Sequence, residues 1–148
     1  MNMSSIPINE ITSRQPERCV IVLNEDLPAG KAVNAAAVIA LTVGQRHPVL
    51  VGPPLIDAEQ CEYPGLIPIG IPVLAASADE LKKLLESCRR LALDKVIFPV
   101  EGQETTRYEE FTAMVQTQRA EQLQLLGMAI IGGKKDVRKL TAQCKLFG

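Results

Sequence analysis

Two stretches of this sequence set glycine and lysine in front of a segment that reads as a helix. In the first, Asp26-Leu27-Pro28-Ala29-Gly30-Lys31 leads into an alanine-rich run that contains Asn34. In the second, Gly132-Gly133 leads into Lys134 and Lys135. A helix start presents unpaired backbone N–H groups and about half a positive charge. A lysine placed there costs roughly a few tenths of a kcal/mol unless an anion sits opposite. The pairing therefore marks each place as a spot for an anionic ligand. If the two preceding strands run parallel, both helix starts open on one edge of the sheet. Gly30, Lys31, Asn34, Gly132, Gly133, Lys134 and Lys135 then surround one small phosphate- or carboxylate-bearing ligand, close to Asp26.

Other chemistries lack their residues. His47 is the only histidine, and no Gly-x-Ser-x-Gly elbow accompanies it, so it reads as an exposed loop residue rather than a triad member. Glu25 stands where a P-loop needs its first glycine, Ala32 replaces the magnesium-binding Ser/Thr, and no Gly-x-Gly-x-x-Gly occurs. No cofactor is expected. Asp57, Glu59 and Glu62 have no metal-ligand spacing, and the four cysteines (Cys19, Cys61, Cys88, Cys144) form no CxxC pair, so no metal is expected and the thiols read as buried and reduced. Net charge is −1 and only 3% of residues are aromatic, which leaves neither phosphate neutralisation nor stacking for bulk nucleic acid.

These residues need elements to hold them. The 148 residues suit one domain. Residues 1–16 read as a flexible tail without a signal sequence, and 17–148 as the domain. Short apolar runs at 19–23, 71–75, 95–99 and 127–131 read as buried strands, with lesser strands at 49–51 and 145–147. Helices are expected at 28–43, at 78–91 behind a Ser77/Glu80 capping box, at 106–122 behind a Thr106/Glu109 box, and at 134–141. Strands alternating with helices predict a single three-layer α/β domain whose mixed, mostly parallel sheet lies between helices. No apolar run reaches membrane-spanning length, so no membrane association and a cytoplasmic location are expected.

The same residues carry a resemblance. Asp26-Leu27 after a Val/Ile strand, Gly30-Lys31 opening an alanine helix, and the ending GMAIIGGKKDVRKLTAQCKLF are similar to peptidyl-tRNA hydrolase II. The chain more closely resembles a sister group of small bacterial proteins, the domain of unknown function two thousand. That group shares the Asp-Leu-Pro-Ala-Gly start, an Asn-Ala-Ala-Ala helix, a segment like Pro64-Gly65-Leu66, and a Gly-x-Lys-Lys turn before Lys-Leu-Thr. The resemblance implies a peptidyl-tRNA hydrolase II-like fold and adds Thr141 to the candidate ligand residues. Of that hydrolase's polar set, Asp26, Lys31 and Thr141 are retained. Its helix glutamine falls on Ala35 beside Asn34, its histidine falls on Val38, and its Asp-Ala-Gly-x-Thr loop falls on residues 100–104.

Three functions follow as expectations. The first is binding of a small anionic ligand. The second is hydrolysis of an ester or amide, with Lys31 placing the anion and Asp26 or Glu101 positioning water. The third is a non-catalytic oligomeric scaffold, a homodimer paired through the edge strand at 145–147.

Overall fold

The computed structural model describes residues 16–148, so all but Pro16 of the tail expected over 1–16 lies outside the described residues. Strand β1 (Arg18–Asn24) is the wholly apolar Val/Ile run, and its five middle residues are buried. It is followed by α1 (Ala29–Arg46), a 3-10 turn (Pro48–Leu50), and a small hairpin of β2 (Leu55–Ile56) and β3 (Glu62–Tyr63). Then come β4 (Val73–Ala76), α2 (Ala78–Leu91), β5 (Asp94–Pro99), α3 (Glu101–Glu104) and α4 (Tyr108–Gln116). A 3-10 turn (Ala120–Gln122), β6 (Leu125–Gly132), α5 (Lys134–Thr141) and β7 (Lys145–Leu146) complete the chain.

The main sheet has the order β5-β6-β1-β4-β7. Helix α1 and the segment after it cover one face: Ala32, Ala35, Ile39 and Val43 at helical spacing, with Leu50, meet Cys19, Ile21 and Leu23. Helix α2 covers the other face through Leu81, Leu84, Leu85 and Cys88, and α5 joins it through Val137. The three-layer α/β expectation is met. So is the capping box: Ser77 Oγ accepts from the Glu80 N–H, and Glu80 Oε1 accepts from the Ser77 N–H.

The sheet is mixed, but its expected parallel majority is corrected. Only β1 and β4 pair in parallel; β1–β6, β5–β6 and β4–β7 are antiparallel. The reason lies in the connection between β5 and β6. The single helix expected over 106–122 is a short helix, α4, between the one-turn α3 and a 3-10 turn. Pro99 at the end of β5 pairs with Leu125 at the start of β6, so these short pieces close a turn at one edge of the sheet instead of running back along it. The chain returns where it left, as an antiparallel neighbour must. Thr106 does not cap this helix, whose N-cap is Arg107. The expected strand at 49–51 is the 3-10 turn, because Pro48 withholds a ladder N–H and favours a helical first position.

Candidate functional site

The orientation of β6 decides where the candidate residues fall. Arg18 pairs with Gly132 and Leu23 with Gly127, so β6 ends where β1 begins. From Arg18 to Asn24 is six steps of ~3.3 Å, so the two glycine-lysine turns stand about 20 Å apart, on opposite edges of the sheet. The shared site expected from parallel strands does not form. Lys31 and Asn34 belong to one edge; Gly132, Gly133, Lys134 and Lys135 belong to the other.

At the second edge the anion is already supplied by the chain. Glu17 Oε1 accepts a hydrogen bond from the backbone N–H of Lys134 at 2.9 Å, and the Glu17 N–H donates to the Gly132 carbonyl at 3.0 Å. Glu17 is thus the missing cap of α5, inside a shallow hollow with Lys134, Lys135, Arg138 and Lys139. Gly133 has φ −66 and ψ 144, an ordinary extended N-cap that any residue could adopt. Thr141 is buried on the α2 side of the sheet, where its hydroxyl donates to the Val137 carbonyl at 2.8 Å. It is a structural residue, away from Lys31. A groove of about 470 Å³ between α2 and α5 lies on that side as well.

At the first edge the C-terminal ends of β1, β4 and β5 converge, the position where open α/β sheets bind ligands. Helix α1 starts there with no acidic residue in its first turn and no side-chain cap, since Pro28 occupies the N-cap. Gly30 leaves open space where a Cβ would stand, and Lys31 is exposed. Asp26 is exposed too, with its N–H donated to Asn24 Oδ1 at 2.9 Å. Asn34 faces a residue that the sequence had not singled out: Gln103 Nε2 donates to Asn34 Oδ1 at 2.9 Å and to the Lys31 carbonyl at 3.2 Å. Gln103 comes from α3, directly after β5, and its buried Oε1 has no hydrogen-bond partner among the described residues.

Glu101, two residues earlier, is only 8% exposed. Its Oε2 accepts from Gln118 Nε2 at 2.6 Å, while its Oε1 is buried with no hydrogen-bond partner among the described residues. A Cβ on Gly102 would stand 2.2 Å from Phe98 Cε1, so the turn between the two polar side chains must be glycine. That Gly102 comes three residues after the end of β5 and separates two polar residues is the signal that could have pointed to Gln103.

One expectation outside this edge is corrected. His47 is not a free loop histidine: its Nε2 lies 2.5 Å from Asp94 Oδ2, and Arg46 grips the same carboxylate from Nε and Nη2 at 3.0 and 2.6 Å. Partial burial alone would raise the Asp94 pKa, but hydrogen bonds from Arg46 and His47, with their charges, outweigh it and hold the carboxyl below its usual range. The cluster ties the end of α1 to the start of β5. Asp57, Glu59 and Cys61 bring donor atoms within 4.8 Å of one another. Both Asp57 oxygens are occupied, however, by the N–H groups of Glu59 and Cys61 and by the Tyr63 hydroxyl, which makes this a hairpin fastening.

All four cysteines are free. Cys19 and Cys88 are buried as expected, and burial pushes both thiols up to about 11. Cys61 is exposed and Cys144 half-buried, contrary to the expectation of four buried thiols. No helix among the described residues is long and apolar enough to cross a membrane.

Comparison with known proteins bears on the family and the fold. Residues 17–147 match the family model described as "Protein of unknown function (DUF2000)". A solved structure of a protein of unknown function from Agrobacterium tumefaciens strain C58 is similar with a TM-score of 0.81 at 20% identity, over 88% of this chain and 97% of that one. No curated protein matches. Neither match bears on the relation to peptidyl-tRNA hydrolase II.

Proposed function

Since the chain belongs to the DUF2000 family, whose description names no activity, we propose a function from the site itself: this protein binds a small phosphate- or carboxylate-bearing ligand at the N-terminus of α1. The observation that carries the reading is a contrast between helix starts. Helix α2 is closed by its capping box and α5 by Glu17, whereas the 18-residue α1 has neither a first-turn acid nor a side-chain cap, and adds Lys31. Its first N–H groups, the helix dipole and one lysine offer an anion charge-assisted hydrogen bonds of roughly 1.5–3 kcal/mol each before desolvation and screening. Gln103 fixes Asn34 beside them. The ligand is small, since one helix start carries the site. The setting is a reducing, cytoplasmic one, in keeping with the two buried thiols at Cys19 and Cys88.

A second reading is favoured by Glu101. A carboxylate buried beside this edge with one unpaired oxygen is placed to orient or deprotonate a water. With Lys31 on the anion, that gives a hydrolase of an ester or amide, the activity implied by the resemblance to peptidyl-tRNA hydrolase II; exposed Asp26 is the alternative to Glu101.

A thermal-shift and calorimetric screen of the full chain against small phosphorylated and carboxylated compounds tests the first reading. Saturable stabilisation that Lys31→Ala weakens supports it, and no response to any compound contradicts it. Release of an N-blocked aminoacyl group from its tRNA, lost in Glu101→Gln, is the result expected of the second.

A further inference from the structure

The layer formed by α1 and the segment after it is apolar on both sides. Thirteen large hydrophobic residues are exposed among the described residues, and ten of them lie between positions 33 and 69. Val33 and Leu41 are 70% and 79% exposed, and with Ala37 they form an i, i+4, i+8 stripe on the outer side of α1. The same helix buries Ala32, Ala35, Ile39 and Val43 against the sheet. Val49 and Val51 follow around the 3-10 turn, and Leu55 and Leu66 continue in the segment that shares this face of the sheet.

Charge is missing from the α1 part of this surface, while exposed Glu59 and Glu62 stand on the hairpin beyond it. Between Lys31 and Asp57 the sequence contains one charged residue, Arg46, in a chain that is 22% charged. Arg46 is itself neutralised by Asp94. A solvated outer helix face ordinarily carries charges, and an apolar face of this kind marks a contact.

From the extent and neutrality of this face, we infer that it is the interface of a homodimer, with α1 packing on its own copy. The seven that lie between Lys31 and Asp57, each leaving on the order of 60–100 Å² in water, amount to about 420–700 Å² before Ala37 is added. A stable interface takes about 800 Å² from each partner. A two-fold contact sets the same surface against itself. Because this surface carries no uncompensated charge between Lys31 and Asp57, a second copy meets it without burying an unpaired ion. Ala37 in the middle of the stripe, and Gly44 at its end with open space where a Cβ would stand, let two helix backbones approach closely. The inference is independent of what the α1 N-terminus binds. It differs from pairing through the edge strand β7, whose Leu146 is 75% exposed.

The experiment is the molar mass of the full chain by light scattering and sedimentation equilibrium at about 100 µM, above the micromolar end of standard interfaces. Wild type and Leu146→Glu are expected at twice the chain mass. Leu41→Glu and, separately, Val33→Glu are expected at the chain mass, with unchanged circular dichroism. Both substitutions are on exposed side chains, and either one folding as a monomer suffices. A monomeric wild type, dimers that survive both α1 substitutions, or loss of the dimer in Leu146→Glu alone would each overturn it.

Discussion

Gln103 and Asn34, 69 residues apart in the chain, meet at 2.9 Å, and the same Gln103 amide reaches the Lys31 carbonyl. This joins the turn after β5 to the first turns of α1. Gln103→Ala removes that tether while leaving α1's own packing on the sheet intact. Binding of inorganic phosphate by calorimetry should weaken by severalfold, with a loss of stability of at most about 1 kcal/mol for a partly exposed pair.

Lys31→Ala should weaken the same binding about tenfold, the equivalent of one charge-assisted contact after screening. Its melting temperature should stay within about 2 °C of wild type, because an exposed lysine at a helix start contributes little to folding. Gly133→Ala, at the other helix start, should leave phosphate binding unchanged and cost at most about 1 kcal/mol, the preference for glycine over alanine at an N-cap. The added Cβ would meet only Glu17 Oε1 at 3.6 Å, an ordinary contact, and the φ of −66 suits alanine.

Glu101 is a buried carboxylate with one oxygen unpartnered, which costs stability. Glu101→Gln keeps the shape and an acceptor for Gln118 while removing the charge. It should raise the unfolding free energy by about 1 kcal/mol in a denaturant titration, the pattern of a residue held against stability for function. Destabilisation would make Glu101 a structural ion instead. Gly102→Ala should be the opposite case, losing about 2 kcal/mol or more because its Cβ would collide with the Phe98 ring at 2.2 Å.

Asp94 sets an acid limb. Its folded pKa is depressed, so the stability it adds is present above the unfolded value and is lost as pH falls through the folded one. Asp94→Asn should therefore cost about 1–2 kcal/mol at pH 7, discounted for a carboxylate that is 25% exposed. The difference from wild type should shrink toward zero below about pH 4. Urea titrations at pH 7, 5 and 3 read this directly.

What was legible in the sequence followed local rules. The Ser77/Glu80 box closes α2, and the Leu81/Leu84/Leu85/Cys88 face packs as its spacing requires. The direction of β6 was not legible, because a strand buried on both faces reads the same either way. Strands alternating with helices suggest a parallel β6, whereas residues 101–122 fold as short pieces that begin and end at one edge. That one reversal parts Lys31 from Lys134. Glu17, Gln103 and Gln118 were hidden for another reason: each meets its partner across 17 to 117 residues, and no local pattern encodes such a meeting. The fastening of His47 by Asp94, 47 residues away, is of the same kind.

The central claim is that an anion binds at the start of α1 and not at the start of α5. Amide chemical shifts of ¹⁵N-labelled full-length protein, followed while inorganic phosphate is added, test it most directly. The prediction is saturable shifts at Ala29, Gly30 and Lys31, reaching Asn34 and Gln103, with Lys134 and Lys135 nearly still because Glu17 already holds their helix start. Equal shifts at both helix starts, or shifts that grow linearly without saturating at Gly30 and Lys31, would contradict it.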